Sequence, residues 1–218
     1  QHDALLQEQG YLEAVSSGRR SLVVYDPGGE RIVEMIGRPG PGTREVITYL
    51  PGTGADMASF HSGSAQQVAT YLTQTDRSGG TVAFVYKDGP WASWGAPWQE
   101  TSNLNMGFAA TEGSQLADFQ RTLDLEPSLA GAQRNGMAHS AGMTSLSASE
   151  VAGAHYDRVL SLGGAMLAPG WQADPGTSYE HYQYGFDAIN YANPIGDFPG
   201  ESSAFTNNIF RPETHSFL

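Results

Sequence analysis

Asn135-Gly136-Met137-Ala138-His139-Ser140-Ala141-Gly142-Met143 is the stretch on which the fold of this chain turns. A short segment ends in one serine and reverses at once into residues that suit a helix, with small side chains, Ala138 and Gly142, two positions either side. Small residues are required where a strand and a helix nearly touch across a tight bend, and such a bend holds a serine hydroxyl clear of the sheet edge. The pattern is that of a nucleophile elbow, with Ala138 where glycine is usual. Taken alone, small-x-Ser-x-Gly also describes an ordinary Ser/Gly turn in a chain with 27 glycines, so the flanking segments must decide.

Working outward, Glu45–Leu50 is a mostly apolar run that stops at Pro51-Gly52-Thr53-Gly54, and Thr81–Tyr86 is β-branched and aromatic. Both suit strands of a sheet covered on two faces. Between them Ser64, with Gln67 three residues on, predicts a capped helix whose Ala65, Val68 and Leu72 are buried. Ser114 predicts the start of another, carrying Leu116, Phe119 and Leu123. Past the elbow a helix is expected to about Val151, then strands at Arg158–Leu162 and Tyr179–Tyr184 and a loop-rich tail. Strand, helix, strand in alternation predicts an α/β fold with a mostly parallel central sheet and right-handed crossovers. At the front, Ser21–Tyr25 and Arg31–Ile36 flank Asp26-Pro27-Gly28-Gly29-Glu30 and predict an edge hairpin. Leu5, Leu12 and Val15 share one helical face, which predicts an N-terminal docking helix within residues 1–20. Residues 88–113 have no steady period, and Trp91, Trp94 and Trp98 lie there among Gly, Pro and Ser. Such an insertion can cap a pocket with its tryptophans lining it, or send them into the core.

A chain of 218 residues fits one domain, 1–218. Its 23 acidic and 11 basic side chains give a net charge of -12, which repels nucleic acid and anionic membranes. Absence of cysteine excludes disulfides, thiol catalysis and Cys-ligated zinc. No apolar run approaches the roughly 20 residues that span a bilayer. The chain opens Gln1-His2-Asp3, which suggests a removed leader or a piece of a larger secreted or cell-surface protein. Oligomeric state is left open.

In α/β sheets ligands collect at the carboxyl ends of the strands, where Ser140, Gly52-Thr53 and Asp187 all fall. A serine hydroxyl needs a base to accept its proton and an acid to orient that base. In elbow enzymes the acid and the histidine follow the serine in that order. Downstream histidines are His155, His181 and His215; the first falls at the start of a strand and the second inside one, which leaves His215 as the base. Asp187, at a strand end, is favoured as the acid over Asp174 and Asp197 in turns, and His139 packs beside the elbow. Backbone amides of Thr53 and Ala141 are the expected oxyanion donors. No H-E-x-x-H spacing points to a metal, and the chemistry requires no cofactor.

Over most of its length the chain resembles the α/β-hydrolase superfamily, and within it the actinobacterial-type DUF1023 group. The likeness rests on the N-terminal helix, Tyr25-Asp26-Pro27, Pro51-Gly52-Thr53-Gly54, His139-Ser140, Asp187-Ala188-Ile189 and His215-Ser216. It implies an α/β-hydrolase fold with Ser140 as nucleophile, Asp187 as acid and His215 as base. Ala138 departs from the expected glycine, and Arg134, Asn135 and Gly136 replace the β-branched residues of a usual elbow strand. The expectation is a hydrolase of carboxylic esters acting on a small-molecule or lipid-like acyl substrate. The same triad serves amidases and peptidases, and the same fold can persist as an idle binding module.

Overall fold

The computed structural model describes residues 2–185 and 196–210. Helix α1 (His2–Ser16) leads into β1 (Ser21–Asp26), β2 (Arg31–Ile36) and β3 (Glu45–Leu50). Then follow α2 (Met57–Ser62), α3 (Gln67–Thr75), β4 (Thr81–Asp88), α4 (Met106–Asp124), β5 (Gln133–His139), α5 (Gly142–Val151), β6 (Arg158–Leu162), β7 (Ser178–Tyr184) and β8 (Thr206–Phe210). All eight strands form one sheet in the order β1-β2-β4-β3-β5-β6-β7-β8. The β1–β2 and β2–β4 pairs are antiparallel and the pairs from β4 to β8 are parallel. The carboxyl ends of β3, β5, β6, β7 and β8 therefore share one sheet edge.

Two cores form because successive strand residues face opposite sides. Val46, Leu50, Phe84 and Tyr86 pack with Leu116, Phe119 and Leu123 of α4 and with Met143 and Leu146 of α5. Ile47, Tyr49, Ala83 and Val85 pack with Tyr11, Phe60 and Ala69 of the α1–α3 layer. Helices on both faces explain why the central strands lack polar alternation. The α4–α5 contact is close: a Cβ at Gly113 would lie 2.5 Å from the Ala148 Cβ and 2.6 Å from its carbonyl carbon.

Several elements differ from the sequence expectation. The buried residues of α1 are Tyr11 and Ala14, whereas Leu5 is 63% exposed. Polar bonds dock this helix: Tyr11 Oη donates to Glu34 at 2.8 Å, and Arg20 and Gln66 also donate to that nearly buried carboxylate. A hydrophobic stripe could not reveal this. Ser64 does not cap α3; its hydroxyl donates to the Ser59 carbonyl, and the helix starts behind Gln66. The capping box lies one helix earlier, between Asp56 and Ser59. Helix α4 starts at Met106, not Ser114, because Asn105 accepts from the Gly107 and Phe108 amides. The irregular stretch after β4 thus covers 89–105 and not 88–113. The expected loop-rich tail contains β8, hidden by its asparagines, which are poor strand formers.

Candidate active site

Ser140 stands between the last residue of β5 and the first turn of α5 with φ of +51°. That left-handed conformation costs a non-glycine residue roughly 1–3 kcal/mol and persists only where its surroundings over-determine it. They do so here. The Ser140 amide donates to the Leu162 carbonyl at the end of β6 (3.1 Å), and the Ala165 amide donates to the Ser140 carbonyl (2.9 Å). From below, α5 presses against β3: a Cβ on Gly142 would lie 2.6 Å from the Pro51 carbonyl oxygen and 2.8 Å from that of Leu50. Glycine is required there. Ala138 is fully buried, in register with Leu50 of β3 and Ser161 of β6, and its methyl joins the core. Gly136, the apparent weakness of the elbow strand, makes room for Leu146 and Tyr156, which a Cβ would approach to 2.9 and 3.1 Å.

The Gly52-Thr53-Gly54 turn at the end of β3 lies beside the elbow. A Cβ on Gly52 would meet His139 Nδ1 at 2.6 Å and Ser140 Cβ at 3.2 Å. Two bonds from the segment after β4 hold this turn: Trp91 Nε1 donates to the Gly52 carbonyl (3.1 Å), and the Gly54 amide donates to the Ala92 carbonyl (2.8 Å). The Thr53 and Ala141 amides have no acceptor among the described residues, and the Thr53 hydroxyl is buried without a hydrogen-bond partner. Ala141 heads α5 with no side-chain cap. An uncapped helix N-terminus offers orphan N–H groups and a positive dipole end to a developing anion.

Not every expected site residue lies in this cluster. Asp187 and His215 fall outside the described residues. His155 is exposed before β6, 3.2 Å from Asp174 and at the opposite sheet edge. His181 is buried in β7, with Nδ1 2.8 Å from Ser161 Oγ and Nε2 2.7 Å from Gln183 Oε1. Trp91 points into the core, whereas Trp94 and Trp98 are 82% and 84% exposed. The bracing by Leu162 and Ala165 has no sequence signal beyond the Gly163-Gly164 pair, which marks a close approach. Gly164 packs on Ser161 and Met143, with a built Cβ 2.9 Å from Met143 Cγ.

Two carboxyls are desolvated beside and within α5, Glu112 buried and Glu150 partly buried. Glu112 of α4 accepts from Ser145 Oγ at 2.6 Å, and desolvation pushes its pKa up to about 8 against the opposing pull of Ser145 and Lys87. Glu150 accepts from Tyr179 Oη and Trp171 Nε1, both at 2.7 Å, and burial pushes it up to about 7. Among the described residues no group of His, Asp and Glu is arranged to hold a metal ion, and no helix is long and apolar enough to cross a membrane.

No family model and no curated protein matches this sequence. Solved structures do. An α/β serine hydrolase homologue from Coxiella burnetii is 15% identical, with a TM-score of 0.52 over 88% of this chain and 86% of its own. A carboxylesterase from Mesorhizobium loti is 12% identical, with a TM-score of 0.54 over 89% and 90%. An α/β serine hydrolase from Xanthomonas campestris described as lacking a lid is 12% identical, with a TM-score of 0.51 over 88% and 84%. At these identities the likeness is one of fold: the chain has the α/β-hydrolase fold.

Proposed function

We propose that this chain is a serine hydrolase of carboxylic esters, with Ser140 as nucleophile, His215 as base, Asp187 as the acid that orients it, and the Thr53 and Ala141 amides as oxyanion donors. The observation that carries the reading is the left-handed serine at the junction of β5 and an uncapped α5. Holding a serine in that conformation is costly, and the bend lifts its hydroxyl above the sheet edge where ligands collect. Asp187 follows the last residue of β7, Tyr184, by three positions, and His215 follows the last residue of β8, Phe210, by five. Strands β7 and β8 both end at the sheet edge where Ser140 stands. The narrower likeness to the DUF1023 group rests on these residues together with the N-terminal helix and Tyr25-Asp26-Pro27.

In this mechanism Ser140 Oγ bonds to the ester carbonyl carbon while His215 takes the hydroxyl proton, and the carbonyl electron pair moves onto oxygen beside the two amides. Each such donor is worth roughly 3–4 kcal/mol. Collapse breaks the bond to the alcohol oxygen, to which His215 returns the proton. Water, deprotonated by His215, attacks the acyl carbon, the acyl–Oγ bond breaks, His215 returns the proton to Ser140 Oγ, and the carboxylic acid leaves.

Labelling by a fluorophosphonate probe tests the reading. Wild type should label and Ser140→Ala should not, and ester turnover should fall by several orders of magnitude in His215→Ala. An unlabelled wild type, or near-normal turnover in His215→Ala, removes it.

A further inference from the structure

A cavity of about 460 Å³ has a lining that includes Leu104 and Met106 on one side and Met166, Leu167 and Pro169 on the other. It is within the roughly 300–1,000 Å³ of small-molecule sites. Its walls are mainly apolar. The first comes from the end of the 89–105 segment and the start of α4, and the second from the connection between β6 and β7. The second is continuous with Ser140: the Ala165 amide donates to the Ser140 carbonyl, and Met166 is the next residue. The Leu167 amide donates to the Asp197 carbonyl (2.7 Å), which fixes that wall, and Met166 lies across Gly196, where a Cβ would come within 2.6 Å of its sulfur. One residue of main chain, about 3.8 Å, thus separates the brace of Ser140 from the apolar lining.

We infer that this cleft takes the hydrocarbon chain of the ester, so that the substrate class is esters carrying an apolar chain rather than short polar acyl donors. The inference rests on the hydrolase reading for its chemistry and on the cleft alone for its chain. Binding is by desolvation: every methylene moved from water into the cleft adds apolar burial, and unbranched methionine side chains adapt to chains of differing shape. The expected gain is about fourfold in kcat/KM per methylene, the equivalent of about 0.8 kcal/mol, until the cleft is full.

The test uses the full chain with two ester series, one lengthening the acid from acetate to dodecanoate and one lengthening the alcohol of an acetate. A steep rise along either series supports the inference and shows which side of the ester the cleft holds. Leu104→Asp should cut the ratio of longest to shortest substrate by at least about tenfold, and Leu104→Asn covers the case in which the charge prevents folding. Flat dependence along both series, with measurable turnover, overturns the inference while the hydrolase reading stands. So does a ratio unchanged in both folded Leu104 variants. A fluorescent fatty acid titrated into Ser140→Ala separates the two. Binding displaced by dodecanoate but not acetate, in a protein whose wild type turns over no ester, keeps the cleft and removes the hydrolase reading. Neither binding nor turnover removes both.

Discussion

Trp91 donates its indole N–H to the carbonyl of Gly52 at 3.1 Å, so a buried aromatic from the segment after β4 holds the turn that carries Thr53. The sequence placed this tryptophan in a substrate pocket or in the core. It packs in the core, where it positions the turn. Trp91→Phe keeps most of the apolar volume and deletes the bond, which is worth about 1 kcal/mol net. Ester kcat is expected to fall about tenfold at little change in KM, with a melting temperature lowered by a few degrees, read by steady-state kinetics and thermal unfolding.

Trp94 and Trp98 make the opposite case. With more than four-fifths of each side chain in solvent, replacement of either by alanine is expected to change stability by less than about 0.5 kcal/mol and leave turnover of a water-soluble ester unaltered. Denaturant midpoints and kcat/KM measure both. A loss above tenfold would assign these residues to the substrate pocket.

Gly113→Ala reverses an ordinary rule. Alanine in a helix interior is normally about 1 kcal/mol more favourable than glycine. Here the added methyl would lie 2.5 Å from Ala148 Cβ and 2.7 Å from the Ser149 amide, so α4 and α5 must separate. Overpacking of this kind costs about 1–3 kcal/mol, and urea unfolding should show net destabilisation.

Glu112 sets a pH dependence. Desolvation raises its folded pKa to about 8, above the ordinary carboxylate value of 4.5, so the folded state holds the proton more tightly than the unfolded chain. Stability from this group is full below the unfolded value and lost as pH rises through about 8. Between those limits wild type should lose up to a few kcal/mol relative to Glu112→Gln, measured as the difference between their denaturation free energies at pH 5 and pH 8.5, roughly the ends of that window.

Glu150 titrates in the same sense nearer neutrality, with a folded pKa of about 7. Because Trp171 donates to it, a fluorescence change centred near that pH is expected in wild type and should vanish in Glu150→Gln.

Periodicity carried the sheet well and the helix ends poorly. Arg158–Leu162 is readable from the sequence because a β-branched, apolar run between turns has few other solutions. The first turns of α4 ahead of Ser114 are hidden because Gly107 and Gly113 dilute its signal, and Gly113 is there for Ala148, a partner remote in sequence. Glu34 in the middle of β2 carries no sequence signal of burial, yet Tyr11, Arg20 and Gln66 converge on it from three segments. The elbow is legible because its small residues, Ala138 and Gly142, flank Ser140 at the bend between a strand and a helix. Its supports, Ala165 below and Trp91 beside it, are tertiary and leave no periodic trace.

A bend with the dihedral of Ser140 would be better served by glycine, which adopts it freely. Wherever a chain keeps a hydroxyl at such a point it forgoes stability that one codon change would recover. Ser140→Gly should therefore yield a sturdier protein than its parent, and descendants released from chemistry would drift toward that replacement.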